Sequence, residues 1–300
     1  MPTLPALSDC APAKVNLTLR VLGKRADGYH DLESLVVFAG LADRVTLTPG
    51  DALGLDVAGP TAGAAGDVSD NLVLRAARAL AGRVAGLRGG RFALTKLLPV
   101  AAGLGGGSAD AAAALRLLAR LNGLPPDDTR LMDAALATGA DVPVCLDPRP
   151  RVMRGIGDAL SPPLDLPALP AVLVNPGVPV PTKGVFARLG LAPGEKRGVA
   201  TEIDPSRLKS RDALIAYLKS QPNDLEPPAR ALQPVISDVL AELGRRSDCL
   251  ISRMSGSGAT CFGLFASNQA AEAAAQEITA AFPTWWAAPT VFAANASARS

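Results

Sequence analysis

The chain has 300 residues, with 30 Lys or Arg against 28 Asp or Glu and a formal charge of +2, so it lacks the concentrated basic excess by which nucleic-acid binders are recognised. Hydrophobic residues make up 48%, enough for a sizeable core, and the length sets a prior of about two domains. The one histidine, His30, excludes metal sites built on two imidazoles, and the four cysteines show no CxxC spacing, so reduced thiols are expected.

The opening ten residues, MPTLPALSDC, have no basic start, apolar run or small-residue cleavage pattern, so a cytoplasmic protein is expected. Residues 13–22 alternate, with Val15, Leu17, Leu19 and Val21 on one face and Lys14, Asn16, Thr18 and Arg20 on the other. That spacing predicts a half-buried strand with a polar, solvated face. After the turn at Asp27-Gly28, strands are predicted over 35–39, 44–48 and 91–98, with a helix over 71–84 capped by Ser69 or Asp70.

A glycine-rich run opens an Ala-rich helix over 109–121, and a second helix over 127–138 stops at Gly139. Residues 147–157 read as surface loop or short strand. The Pro-rich stretch 161–170 marks a domain boundary, giving domains 1–162 and 163–300. Beyond it come a strand (171–175), a charged excursion (193–209) and helices near 183–189, 211–219 and 229–243. Two strands (249–254, 259–265), a helix (269–282) and a strand (290–294) follow, completing a strand-helix-strand-strand-helix-strand pattern of the split βαβ type. The uncharged stretch 278–298 is broken by Pro283, Pro289 and Asn295 and makes a poor membrane span.

The strongest local signal is Gly103-Leu104-Gly105-Gly106-Gly107-Ser108 running straight into a helix. Glycines leave backbone N–H groups free to curl around an anion, and the helix N-terminus adds partial positive charge. A phosphate site follows, although neither the P-loop Lys-Ser/Thr nor the third glycine of a dinucleotide fingerprint is present. A second cluster, Ser255-Gly256-Ser257-Gly258, reads as a hairpin loop or as a close backbone approach to a ligand. Asp141 follows a helix end, where a carboxylate is disfavoured and a functional reason is invited, whereas Asp110 in a first helical turn needs none. Tyr29-His30 could stack on a base and read its edge, or could simply lie at a turn.

Three blocks, residues 11–17, 98–112 and 254–260, resemble in order and spacing the small-molecule kinases named for galactokinase, homoserine kinase, mevalonate kinase and phosphomevalonate kinase, the GHMP type. The resemblance implies an α+β fold of two domains, the first like ribosomal protein S5 and the second a ferredoxin-like split βαβ. It further implies ATP as phosphoryl donor, with Mg2+ expected beside it but no ligand assignable. Residues 23–32, 139–143, Pro181-Thr182 with Phe186, and 223–226 resemble the branch whose small-molecule substrate carries a cytidine diphosphate group. Nucleic-acid and membrane partners are not expected.

Carried over by position, Lys14 and Asp141 would be the catalytic pair. Pro99, Val100, Ala101, Ala102, Gly103, Leu104, Gly105, Gly106, Gly107, Ser108 and Ala109 would wrap the ATP phosphates. Asn16 would bind near the reacting hydroxyl, Tyr29 and Phe186 would sandwich the cytosine, and His30 would read its edge. Thr182 would join them, and Ser255, Gly256, Ser257 and Gly258 would close on the substrate diphosphate. Val36 and Ala109 depart from the pattern, standing where a larger apolar residue and a second Ser are frequent. A mevalonate- or homoserine-type kinase and a non-catalytic nucleotide- or RNA-binding module are the competing readings.

Overall fold

The structure, a computed structural model, describes residues 5–201 and 203–292. In chain order its elements are β1 (Leu7–Asn16), β2 (Arg20–Lys24), β3 (His30–Pro49), β4 (Gly54–Ala58), α1 (Leu72–Ala81), β5 (Gly90–Thr95), α2 (Gly106–Asn122), α3 (Thr129–Thr138), α4 (Val142–Leu146), β6 (Arg151–Gly155) and β7 (Ala159–Leu160). They continue as β8 (Leu169–Asn175), α5 (Thr182–Ala187), α6 (Arg211–Ser220), α7 (Glu226–Leu232), α8 (Val235–Arg245), β9 (Cys249–Met254), β10 (Cys261–Phe265), α9 (Asn268–Ala281) and β11 (Trp286–Phe292). Contacts group these into two compact units, each discontinuous in sequence. The first takes residues up to Lys14, 41–100 and 105–148, and the second takes 15–40, 101–104 and the chain from 149 onward.

In the first unit, β5 pairs antiparallel with the later half of β3, from Arg44↔Thr95 to Pro49↔Gly90, and parallel with β4. Its strict in-out alternation buries Phe92 and Leu94, as a strand with one covered face requires. Helix α2 is buried nearly all round, from Ala109 to Leu115 without a break. The methyl side chains of its alanine run let α1, α3 and α4 pack close. Its C-terminus is closed by Gly123 at φ 65°, the left-handed cap that glycine adopts without steric cost.

In the second unit, β11, β8, β10 and β9 lie side by side and antiparallel. With α8 between β8 and β9, and α9 between β10 and β11, this is the ferredoxin-like arrangement that the alternating pattern predicts. Pro289 within β11 is tolerated because β11 pairs along its length only with β8, meeting β3 at Phe292↔Ala39 alone. No helix among the described residues is long and apolar enough to cross a membrane.

Several predicted elements differ in extent. Strands expected at 35–39 and 44–48 are one strand, β3, which continues through Gly40 because it changes partners from β2 and β6 to β5 along its 20 residues. The helix expected over 229–243 is two, since Pro234 has no N–H and its ring clashes with the preceding turn. The first strand is interrupted at 17–19, and α1 is capped by Asn71, whose side chain accepts from the Val73 N–H, rather than by Ser69 or Asp70. The last strand starts earlier than expected, and residues 293 and 294 of that expectation lie outside the described residues.

Candidate active site

Lys14 is on β1 in the first unit, and its side chain is 5% exposed although the alternation of residues 13–22 assigned it to a solvated face. Burial of an ammonium demands a partner, and Lys14 Nζ finds Asp141 Oδ2 at 3.0 Å. Asp141 occupies the junction where α3 has ended at Thr138 and α4 starts at Val142. The opposing terminus of α3 is therefore offset by the N-terminus of α4, which the sequence pattern did not reveal.

The same lysine passes directly over Gly105. A Cβ placed on Gly105 would stand 3.2 Å from both Cβ and Cε of Lys14, and the φ of 60° there already requires glycine. Gly105 is the N-cap of α2 and supplies no side-chain cap. The first N–H groups of the helix, at Gly106, Gly107 and Ser108, therefore have no intrahelical acceptor, which suits them to an anion. Ala109 is buried in the core of α2.

Beneath this turn lies a cluster that sequence reasoning missed. Lys96 bonds through Nζ to Asp43 Oδ2 and, at 2.8 Å, to Asp110 Oδ2, and all three side chains are at most 4% exposed. Asp43 Oδ1 also accepts from the backbone N–H groups of Leu97 and Leu98, at 2.5 and 2.9 Å. Burial works against the Lys96 ammonium, but Asp110 and Asp43 outweigh it and hold its pKa above the ordinary lysine value. Burial pushes Asp110 up to about 7, with Lys96 opposing and Asp43 reinforcing the shift. Asp110 is thus far from the ordinary first-turn carboxylate its sequence position suggested. The only available hint was a carboxylate within an otherwise apolar Ala-rich helix. Burial, followed by the charge of Asp141, also pushes the nearby Cys145 thiol up to about 12, so it stays protonated and unreactive.

The remaining glycine-loop residues, 101–104, belong to the second unit. Ala101 and Gly103 have φ of 52° and 75°. Ala102 O accepts from Thr260 N at 3.1 Å and Gly103 O from Ser255 Oγ at 3.1 Å. Ser255 is completely buried, and its hydroxyl also accepts from Asn16 N at 3.2 Å. Its hydroxyl is committed to holding backbone. Asn223 completes the second loop: Nδ2 donates to Met254 O at 2.8 Å and Gly256 O at 2.9 Å, while Oδ1 accepts from Leu225 N.

Asn16 is 1% exposed; Nδ2 donates to Ser34 Oγ at 2.7 Å, and Oδ1 is buried with no protein partner. An unmatched buried acceptor costs about 1–3 kcal/mol, which a donor hydroxyl would recover. The structure shows one aromatic contact that the sequence did not suggest. Phe186 stacks on His30, with centroids 4.6 Å apart and an interplanar angle of 26°, while Tyr29 is 59% exposed. Partial burial, then Lys24, lowers the His30 pKa and keeps the imidazole neutral, with one donor and one acceptor nitrogen. Thr182 and Ser257 share a 2.8 Å hydroxyl contact. Val36 is fully buried in the core, opposite Arg151 on β6.

Residues 71–147 match the family model of the GHMP kinases N terminal domain and residues 207–284 that of the GHMP kinases C terminal. The chain is 61% identical to the 4-diphosphocytidyl-2-C-methyl-D-erythritol kinase of Methylobacterium radiotolerans, over 95% of this chain and 98% of that protein. The chain belongs to the GHMP kinases and, among them, to the 4-diphosphocytidyl-2-C-methyl-D-erythritol kinases. A protein of the same name from Rhodopseudomonas palustris is 58% identical over 95% of this chain and 94% of its own length. A crystal structure titled 4-(cytidine 5'-diphospho)-2C-methyl-D-erythritol kinase aligns at a TM-score of 0.78 and 34% identity, covering 96% of this chain and all of the other. The chain is accordingly a small-molecule kinase, and the family implies ATP as its phosphoryl donor.

Proposed function

We propose that this GHMP kinase transfers the γ-phosphoryl group of ATP to a hydroxyl of 4-diphosphocytidyl-2-C-methyl-D-erythritol, with Lys14 and Asp141 as its catalytic pair. The observation carrying the assignment is that the methylene stem of Lys14 runs along Gly105 while its ammonium pairs with Asp141, so one side chain lies beside both the base and the start of the phosphate-binding turn. In the reaction Asp141 accepts the proton of the acceptor hydroxyl, whose oxygen bonds to the γ-phosphorus as the bridging oxygen leaves with ADP. The transition state of such transfers is loose, so orientation and charge outweigh basicity. Lys14 orients Asp141 and neutralises charge on the moving group.

Residues 99–109 offer backbone N–H groups to the phosphates. The free Oδ1 of Asn16 accepts from a substrate hydroxyl, and neutral His30 presents both kinds of hydrogen-bonding nitrogen to the cytosine edge. Phe186, Tyr29, Thr182 and the 255–258 loop complete acceptor recognition. On this reading residues 1–162 carry ATP binding and catalysis, and 163–300 carry most of substrate binding, joined by Asn16, Tyr29 and His30. The cytoplasm is the compartment in keeping with this chemistry.

Magnesium entering with the triphosphate would neutralise its charge while keeping most of its own water shell. No group of three or more His, Cys, Asp or Glu side chains among the described residues is placed to cage it, so no step is assigned to a protein-held metal.

The test is turnover of the purified protein with ATP and each of three acceptors: the cytidine-linked tetritol, mevalonate and homoserine. Phosphorylation of the first alone is expected. Faster turnover of either of the others would overturn the acceptor assignment.

A further inference from the structure

We propose that Lys96 is a positioning residue for ATP, its ammonium tying together the segment that enters the phosphate loop and the helical turn that leaves it. This rests on the reading of residues 99–109 as the phosphate loop. Asp43 fixes the entering segment by accepting from Leu97 N, Leu98 N and Lys96 Nζ. Asp110 lies in the first turn of α2 and receives the same ammonium at 2.8 Å. The group lies close under the turn: a Cβ on Gly106 would be 3.5 Å from Lys96 Nζ and 3.8 Å from Asp43 Oδ2.

Lys96 is not itself arranged as a phosphate ligand, because its side chain is 4% exposed and two carboxylates occupy two of its three N–H groups. What it supplies is preorganisation. The intervening residues are rich in positive φ, with 52° at Ala101, 75° at Gly103 and 60° at Gly105; Thr260 N and Ser255 Oγ hold the carbonyls in the middle, and the Lys96 group holds the ends. A loop ordered before binding loses less entropy when the triphosphate arrives. Without the lysine two buried carboxylates are left facing each other unpaired, so removing it changes how both anchors are held.

The experiment compares steady-state kinetics of the full chain with Lys96→Met, Asp110→Asn and Gly103→Ala variants. For Lys96→Met the KM for ATP should rise about tenfold, equivalent to about 1.4 kcal/mol of lost binding. Its kcat and acceptor KM should stay within about twofold of the parent. A lower thermal midpoint with unchanged ATP KM, or an acceptor KM rising as much as that for ATP, would overturn the proposal. If Lys96→Met does not fold, Asp110→Asn decides: a selective rise in ATP KM supports the tie, and no rise overturns it. Gly103→Ala separates the two ways of failing. If it raises the KM for ATP while the Lys96 and Asp110 variants do not, the tie is wrong but the phosphate loop stands. If none of the three changes it, the loop reading falls as well.

Discussion

Lys14 Nζ lies 3.0 Å from Asp141 Oδ2, with the lysine side chain 5% exposed and the aspartate 38%. The cation is thus held at one oxygen, while the carboxylate keeps an open side at which a hydroxyl can be received. Asp141→Asn retains the shape and an acceptor for Lys14 but removes the base. Its kcat should fall by about 10²- to 10⁴-fold, the usual contribution of a positioned acid or base, with both KM values little changed. Lys14→Met should fall comparably, and the double variant should lose far less than the product of the two losses, because the residues act as a unit. Coupled-assay kinetics on the four proteins measure this, and additive losses would argue against a shared role.

The His30–Phe186 centroid distance of 4.6 Å leaves no gap for a base, since a ring sandwiched between two others needs about 7 Å between the outer pair. On the proposed function the cytosine therefore stacks on an outer face or parts the two rings. Phe186→Ala should raise the acceptor KM by about 10- to 100-fold, as expected for losing a base-stacking surface, while the KM for ATP stays constant. An equal rise in both would show that Phe186 supports the fold and not the base.

Asn223 satisfies two backbone carbonyls with one amide. In Asn223→Ala both would be left buried and unpaired, at about 1–3 kcal/mol each. Urea unfolding should register a loss of up to about 2–6 kcal/mol for the two together, and the acceptor KM should rise because the Ser255–Gly258 turn loses its tie. Unchanged stability would mean that water replaces the amide.

Asp110 carries a pH signature. Its native pKa of about 7 lies above the ordinary carboxylate value of 3.8, so between those pH values the native state holds a proton that the unfolded chain has released. Stability from this group is therefore complete below about pH 4, declines as pH rises toward 7 and levels off above it. Asp110→Asn cannot titrate, so its stability should fall less between pH 5 and pH 8 than that of the parent. Parallel curves for the two proteins would place the Asp110 pKa in the ordinary range.

Much of the fold was legible because it is local. The β5 alternation, the alanine run of α2 and the glycine at its end each specify their element through nearest neighbours. The turn into α2 was likewise readable, since glycines at 103 and 105 supply the positive φ that it uses. The polar side of the first strand was misjudged for the opposite reason. Its period-2 pattern is the same whether Lys14, Asn16 and Thr18 face water or buried partners, and the partners of Asn16 are Ser34 and Ser255, the second of them 239 residues away.

The amino-acid order alone established the kinase resemblance, the helix and strand content, and the residue types able to move a phosphoryl group. The tertiary structure decided which of those residues are charged, paired or free. It joined Lys14 to Asp141, gave Phe186 to His30, left Asn16 Oδ1 without a partner, and made Asp43, Lys96 and Asp110 one buried group. Those outcomes depend on desolvation and on distances between groups remote along the chain, and composition and spacing encode neither.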